Sequence, residues 1–400
     1  MDPQRSTLSG PMAPALAYTA KKTGPASQHR PCRPGASRDV TEVHSRLPAE
    51  ENTYLATEQH QIYYGRVNLI NVIDTGTNLT CCKYTEDRRE VAAGFADGAV
   101  RLFDAASGRC SRRLRDAEVR ASPAPVTAIK HRPLSTGHPV TETFLVTYLN
   151  GNIKCWKYRY EQCLYTIREK RQTLGLAYHP RGPKFLTCGD DATLLMYDEE
   201  VQTEERSFYA SGFKNVIDGH TSLIQACAFH PRAPHELASG GQDARVLCWD
   251  ERQPYATRHI IGPRIVGEGL DFDKTGQTIL TCSWDLGGSL QLWDYGSCRL
   301  IETVRPDEVA SRLHCGRFVP RTGLVVCGGG GEDMLRVVNL CHGETVCSIR
   351  NNPGAVAGLD LGAARRGRRP DDSCENPSDI LACPAVAYVA GKRLVTVDFG

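Results

Sequence analysis

Ser239, His220 and Asp243 are the residues of this 400-residue chain whose types and closeness suit nucleophilic catalysis. A hydroxyl, an imidazole and a carboxylate can relay a proton and attack an acyl carbon. That chemistry also needs an exposed nucleophile and an oxyanion hole, and the sequence supplies no sign of either. A second candidate is Gly328-Gly-Gly-Gly331 before Glu332-Asp333, since glycine-rich loops cradle phosphates. A phosphate loop ends in Lys-Ser/Thr and opens a helix; Met334-Leu-Arg-Val-Val338 follows here and reads as a strand, so the glycines are expected in a turn between strands. A third is the basic run Arg365-Arg-Gly-Arg-Arg369, a candidate for nuclear import or an RNA backbone. Asp371 and Asp372 follow closely and weaken a nucleic-acid footprint, so the run reads as a solvated loop. No convergent acid–base set survives, and the expectation is no enzyme, no catalytic residue, no cofactor and no metal.

The elements that carry these residues recur. Leu237-Ala-Ser-Gly-Gly-Gln-Asp-Ala-Arg-Val-Leu-Cys-Trp-Asp250 has looser copies ending at Phe103-Asp104, Tyr197-Asp198 and Trp293-Asp294. Each reads as strand, tight turn, strand, closed by an aromatic and an acid. The closing positions Asp104, Lys157, Asp198, Asp250, Asp294, Asn339 and Asp398 lie 41 to 59 residues apart. Four short strands with their turns need roughly 40–45 residues. The longer steps carry insertions, at Arg112–Pro125 and at 362–379. Val246-Leu-Cys-Trp249 and Leu290-Gln-Leu-Trp293 are nearly continuous apolar runs, as expected of strands covered on both faces. No sustained helical period appears, and the fold class is all-β.

The last repeat, from Ala355 to Phe399, stops one strand short, whereas Gln61–Ile73 is a strand with no repeat of its own. The N-terminal strand is therefore expected to complete the last sheet as its outer strand. Such closure removes the open edges that a row of sheets would leave. The count is seven.

On these residues the chain resembles the WD-repeat β-propeller family, over about 53–400. The resemblance is fullest where Gly219-His220, Ser239, Asp243, Trp249 and Asp250 occur in order. Elsewhere it decays: the Gly-His pair is missing, Asn150 or Gly391 stands for the corner Asp, and Val338-Asn339 for Trp-Asp. The resemblance implies a buried tetrad in which His220 bridges Asp243 and Ser239 and Ser239 accepts from the indole of Trp249. It thus assigns the triad-like set a structural role. Trp249-Asp250-Glu251-Arg252 is similar to the Trp-Asp-x-Arg box of cullin-RING ubiquitin ligase substrate receptors. There Asp250 and Arg252 would meet the ligase adaptor; the competing reading is a plain exposed arginine on a turn.

A propeller of this family binds partners across the face around its channel. Aligning the repeats puts Thr80, Thr127, Leu174, Gln225, Glu268, His314 and Ala357 near that mouth, with Ala96, Leu149, Asp190, Gln242 and Trp284 on the neighbouring turns. Trp284 is a candidate hot spot, since aromatic anchors dominate interface energies; packing between sheets is the alternative. The leading expectation is a non-catalytic scaffold for other proteins or peptides, in signalling, RNA-associated, cytoskeletal or ciliary assemblies. The alternative is the ligase receptor acting through Arg252.

Composition bounds the rest. A net charge of +2 makes no general case for nucleic acid or an acidic membrane. The 17 cysteines include no Cys-x-x-Cys, and Cys155, Cys227, Cys248, Cys282 and Cys327 sit inside strands. That usage points to a reduced intracellular protein, cytoplasmic or nuclear, with cysteine as core filler. Asn78-Leu-Thr80 then has no role as a glycosylation sequon. Residues 1–52, rich in proline and small polar residues, read as a disordered tail. Its basic bias hints at a mitochondrial presequence, against which scattered prolines stand. No apolar run is long enough to cross a membrane.

Overall fold

The computed structural model describes residues 61–133, 141–213, 215–363 and 383–399. The tail expected over 1–52 lies outside them, as does the 362–379 insertion apart from Gly362 and Ala363, and with it Arg365–Arg369.

Seven antiparallel sheets form seven blades. Lettering strands a to d from the channel outward, blade 1 is Leu79–Tyr84, Glu90–Phe95, Val100–Asp104 and Cys110–Leu114; blade 2 is Val126–Lys130, Thr143–Tyr148, Asn152–Lys157 and Gln162–Arg168. Blade 3 is Thr173–Tyr178, Lys184–Gly189, Leu194–Asp198 and Thr203–Phe208; blade 4 is Ile224–Phe229, Glu236–Gly241, Arg245–Asp250 and Arg258–Ile261. Blade 5 is Leu270–Phe272, Thr278–Cys282, Leu290–Asp294 and Leu300–Thr303; blade 6 is Arg312–Phe318, Leu324–Gly330, Leu335–Asn339 and Glu344–Arg350. Blade 7 takes Val356–Leu361, Val386–Ala390 and Arg393–Phe399 from the C-terminal repeat and Val67–Asp74 as its strand d.

Each strand a touches the strands a of both neighbouring blades, and that of blade 7 touches that of blade 1. The ring therefore closes. One apolar cluster fills each junction, such as Phe144, Trp156, Leu102 and Val126 between blades 1 and 2 and Phe208, Trp249, Leu186 and Leu247 between blades 3 and 4. This explains why the central strands carry no polar alternation: both faces of every sheet are covered.

The latch works as expected and adds one feature. Val67 pairs with Phe399 and Asp74 with Arg393, completing blade 7. The segment Gln61–Ile73 is not one strand, however. Gly65, at φ 74°, breaks it, and Ile62–Tyr64 becomes a fifth strand on blade 6, paired with Ser348–Arg350. The chain thus crosses from one blade to its neighbour and ties both edges.

Two further expectations are corrected. Arg112–Leu114 belongs to strand d of blade 1, and Asp116 caps a short helix, Ala117–Ala121, where an irregular insertion was expected. Gly328–Gly330 lie inside strand b of blade 6, and only Gly331, at φ 100°, is in the turn. The glycines serve close approach: a Cβ on Gly329 would run into the carbonyl of Arg312.

Two histidines that each precede a proline, in His179-Pro180 and His230-Pro231, couple blades at the end carrying the a–b turns. His179 Nδ1 accepts the backbone N–H groups of Arg181 and Gly182, so Nε2 keeps its proton and donates to Pro234 O in blade 4 at 2.8 Å. His230 repeats this one blade later, donating to Gly276 O at 3.0 Å. Burial pushes the His179 imidazole below its ordinary pKa, which keeps it neutral in this role.

Candidate partner-binding face

The tetrad residues meet in blade 4. His220 Nδ1 faces Asp243 at 3.0 Å, Nε2 lies 2.8 Å from Ser239 Oγ, and the Trp249 indole donates to the same Oγ at 2.8 Å. The Ser239 hydroxyl therefore donates to His220 while accepting from Trp249. Both Ser239 and His220 are buried. Burial alone would raise the Asp243 carboxyl, but His220 and the N–H of Thr221 hold it below the ordinary value. With its hydroxyl buried and doubly bonded, Ser239 is no accessible nucleophile.

Sequence reasoning missed how the other blades meet the same need. In blade 3, Thr187 and Tyr197 occupy the Ser and Trp positions, and a buried carboxylate does the bridging. Glu169 accepts from Thr187 Oγ1 at 2.5 Å, Tyr197 OH at 2.9 Å, Thr173 Oγ1 at 2.5 Å and Arg171 Nε at 2.9 Å. Arg171 reaches on to Asp191, the corner Asp, at 2.8 Å. In blade 2, Lys154 bonds Asp116 at 2.8 Å and Glu118 at 2.5 Å, and in blade 5 Trp293 donates to Thr281 at 3.0 Å. The available signal was positional: Thr187 and Thr281 each stand four residues before a corner acid, Asp191 and Asp285, as Ser239 does before Asp243, and they are hydroxyls inside apolar strands, yet their partners share no common type.

The mouth positions occupy equivalent places in each blade. Thr80, Thr127, Leu174, Gln225, His314 and Ala357 are each the bulged residue skipped in the a–b pairing of their blades. A bulge turns one side chain out of the pleat, and all six are half-buried. Glu268 stands two residues before Leu270 in blade 5, where Gly267–Gly269 make a tight turn instead. The second set also shares one geometry. Ala96, Leu149, Asp190, Gln242 and Trp284 donate their backbone N–H groups to Asn78, Pro125, Gln172, Leu223 and Arg264, which precede strand a of the same blade. These b–c turns surround one end of the channel. Trp284 stacks on His314 with centroids 4.9 Å apart and planes at 10°, and Arg312 lies 5.0 Å from its ring. It thus bridges blades 5 and 6 and remains half-exposed.

Below that rim the channel is plugged by charge. Lys130 of blade 2 meets Glu268 of blade 5 at 2.7 Å, and Arg317 of blade 6 pairs with the same carboxylate. Lys83 meets Asp360 at 2.8 Å, and Asp360 also accepts the Tyr84 N–H at 2.8 Å, joining blade 1 to blade 7. Asp271 accepts the Phe318 N–H at 2.9 Å, joining blade 5 to blade 6. Burial would raise the carboxyls of Glu268 and Asp360, but Lys130 with Arg317, and Lys83, outweigh it and lower both. For Asp271 burial wins over Arg317, and its pKa is raised. About 20 Å³ remains beside Lys130, Gln225, Glu268 and Arg317, space on the order of one water.

Arg252 sits at the other end, after strand c of blade 4. Its side chain is 68% exposed and clasps Asp250 through Nε at 2.8 Å and Nη2 at 2.5 Å. That clasp holds the Asp250 carboxyl down at about 2.

The family model described as "WD domain, G-beta repeat" matches residues 161–198 and 212–250. The striatin homolog of Dictyostelium discoideum is 24% identical over 214 residues, covering 50% of this chain and 25% of that protein. Pre-mRNA-processing factor 17 of Saccharomyces cerevisiae is 21% identical over 255 residues, covering 62% of this chain and 51% of its own length. The THO complex subunit 6 homolog of Danio rerio is 24% identical over 243 residues, covering 55% of this chain and 68% of that protein. This chain spans about a quarter to a half of the length of the first two. Seven blades, six of four strands and one of five, with the matched repeats and these relatives, place the chain among the WD-repeat β-propeller proteins.

Proposed function

We propose that the protein is a non-catalytic interaction scaffold that presents the b–c turn face of its ring to partner proteins. The observation that carries this reading is the pairing of a plugged channel with an open rim. In the channel Lys130 and Arg317 pair with Glu268, and Lys83 with Asp360, tying blades together, whereas Ala96 and Asp190 are exposed around the mouth and Gln242 and Trp284 are half-exposed. A rigid ring with such a rim suits the assembly of several proteins. The names of the relatives, a THO complex subunit homolog and a pre-mRNA-processing factor among them, support membership of multiprotein machinery. Buried strand thiols such as Cys155, Cys188 and Cys282 support an intracellular setting. The test is affinity purification from cells with the wild type and with Ala96→Arg plus Gln242→Arg. The charged rim should lose partners that the wild type retains at equal abundance; an unchanged partner set would overturn the reading.

Ligase-receptor function is the second reading, favoured by the exposure of Arg252 and its fixed orientation on Asp250. Recovery of the cullin adaptor by the wild type and not by Arg252→Ala would support it. Absence from both would remove it.

A further inference from the structure

Four arginines converge on one hollow at the rim of blade 1, and no acid of matching strength answers them. A space of about 300 Å³ is lined by Ala99, Arg101, Arg113, Arg115, Arg120 and Glu161. Arg101 and Arg113 are direct partners in the ladder between strands c and d of blade 1. Like charges placed opposite each other on paired strands cost stability. Arg115 follows Arg113 by two residues and so leaves the chain on the same side.

Neutralisation within the protein is slight. Neither Arg101 nor Arg113 makes an ion pair among the described residues; Arg101 instead lies over the Phe95 ring at 4.2 Å, which leaves its N–H edge free to donate. Arg115 reaches Asp97 only at 3.8 Å, and its Nε is buried with no partner. Arg120 donates to the Arg115 carbonyl at 3.2 Å, which braces the group. By contrast Arg112, one residue away, is fully answered by Glu90 at 2.6 Å.

We propose that this hollow binds a phosphomonoester carried by a protein partner, a single phosphorylated Ser or Thr side chain. Guanidinium forks match phosphate oxygens in pairs, and several converging on one point suit a compact dianion. The space equals about ten waters at roughly 30 Å³ each, enough for a phosphorylated side chain with adjoining backbone. A nucleic-acid strand would need a basic track with aromatic stacking platforms, and no aromatic residue lines this hollow. Glu161, exposed and at φ 54° in the turn after strand c of blade 2, makes no ion pair among the described residues. It therefore selects a basic residue near the phosphate on the partner.

None of these residues belongs to the mouth positions, so this site can fail while the face reading stands. The test uses the full chain in fluorescence polarisation with three probes: a degenerate peptide pool with a fixed phosphoserine, the same pool unphosphorylated, and a single-stranded RNA of equal charge. The wild type should prefer the phosphorylated pool. Arg101→Gln with Arg113→Gln should weaken that binding by about tenfold or more, with an unchanged or higher melting temperature as the opposed charges go. Arg299→Gln, an exposed arginine on blade 5, should bind as wild type does. Equal binding by the double variant, no preference for the phosphorylated pool, or tighter binding of RNA would overturn the proposal.

Discussion

Glu169→Ala should be the most damaging single change among the blade-anchoring networks. The Glu169 side chain is 1% exposed and that of Arg171 6%. Removing the carboxylate strands a buried guanidinium with one remaining acid, Asp191, which is 42% exposed. It also takes the acceptor from three hydroxyls, those of Thr173, Thr187 and Tyr197. Breaking a buried pair by deleting one partner costs about 3–5 kcal/mol. His220→Ala in blade 4 deletes a bridge that faces one hydroxyl and one carboxylate, and should cost about 1–3 kcal/mol. Removing both charges, as Glu169→Leu with Arg171→Met, should recover at least about half of the single-mutant loss, because no orphan ion remains. Urea unfolding followed by tryptophan fluorescence gives the midpoint and slope for each variant. If Glu169→Ala costs under about 1 kcal/mol, or less than His220→Ala, or if the double change is worse than the single, the assignment of Glu169 as the blade 3 bridge is wrong.

The plug should make stability depend on acid in a defined direction. Glu268 and Asp360 have folded pKa values below their ordinary ones, so their contribution is complete above about pH 4–5 and fades as pH falls through the folded values. Asp360→Asn should therefore be less stable at pH 7 and show a flatter acid limb; an unchanged urea-midpoint profile between pH 7 and 3 would contradict this. Asp271 runs the other way: its raised carboxyl favours the fold as pH falls, so Asp271→Asn should unfold no more easily at neutral pH, read by the same titration. Val72→Pro, placed where the latch pairs with Val395, should lose about 1 kcal/mol, the worth of one ladder hydrogen bond, and loosen the edge of blade 7; a melting temperature and monomer yield equal to wild type would refute the latch's role.

The architecture was legible because it is written in a period. Closing pairs such as Trp249-Asp250 and Trp293-Asp294 mark strand c, and the missing strand at the C-terminus called for Val67–Asp74. What stayed hidden depends on partners far apart in sequence with no repeated type. Lys130 and Glu268 meet across the ring at a separation of 138 residues, and Glu169 serves Thr187 and Tyr197 from the previous connection. Ile62–Tyr64 could not be placed on blade 6, since a fifth strand has no counterpart in the other repeats. The glycines of Leu324–Gly330 looked like a turn because close approach of a neighbouring backbone leaves no mark on the sequence. The mouth positions were reached by alignment alone, and the shared bulges give that alignment its physical basis.

Amide hydrogen exchange of the chain, alone and with a partner recovered by affinity purification, tests the interaction face most directly. Exchange should slow in the b–c turns around Ala96, Leu149, Asp190, Gln242 and Trp284, with the c–d turn at Arg252 unchanged. Protection confined to the outer strands or to the opposite end of the ring would contradict it.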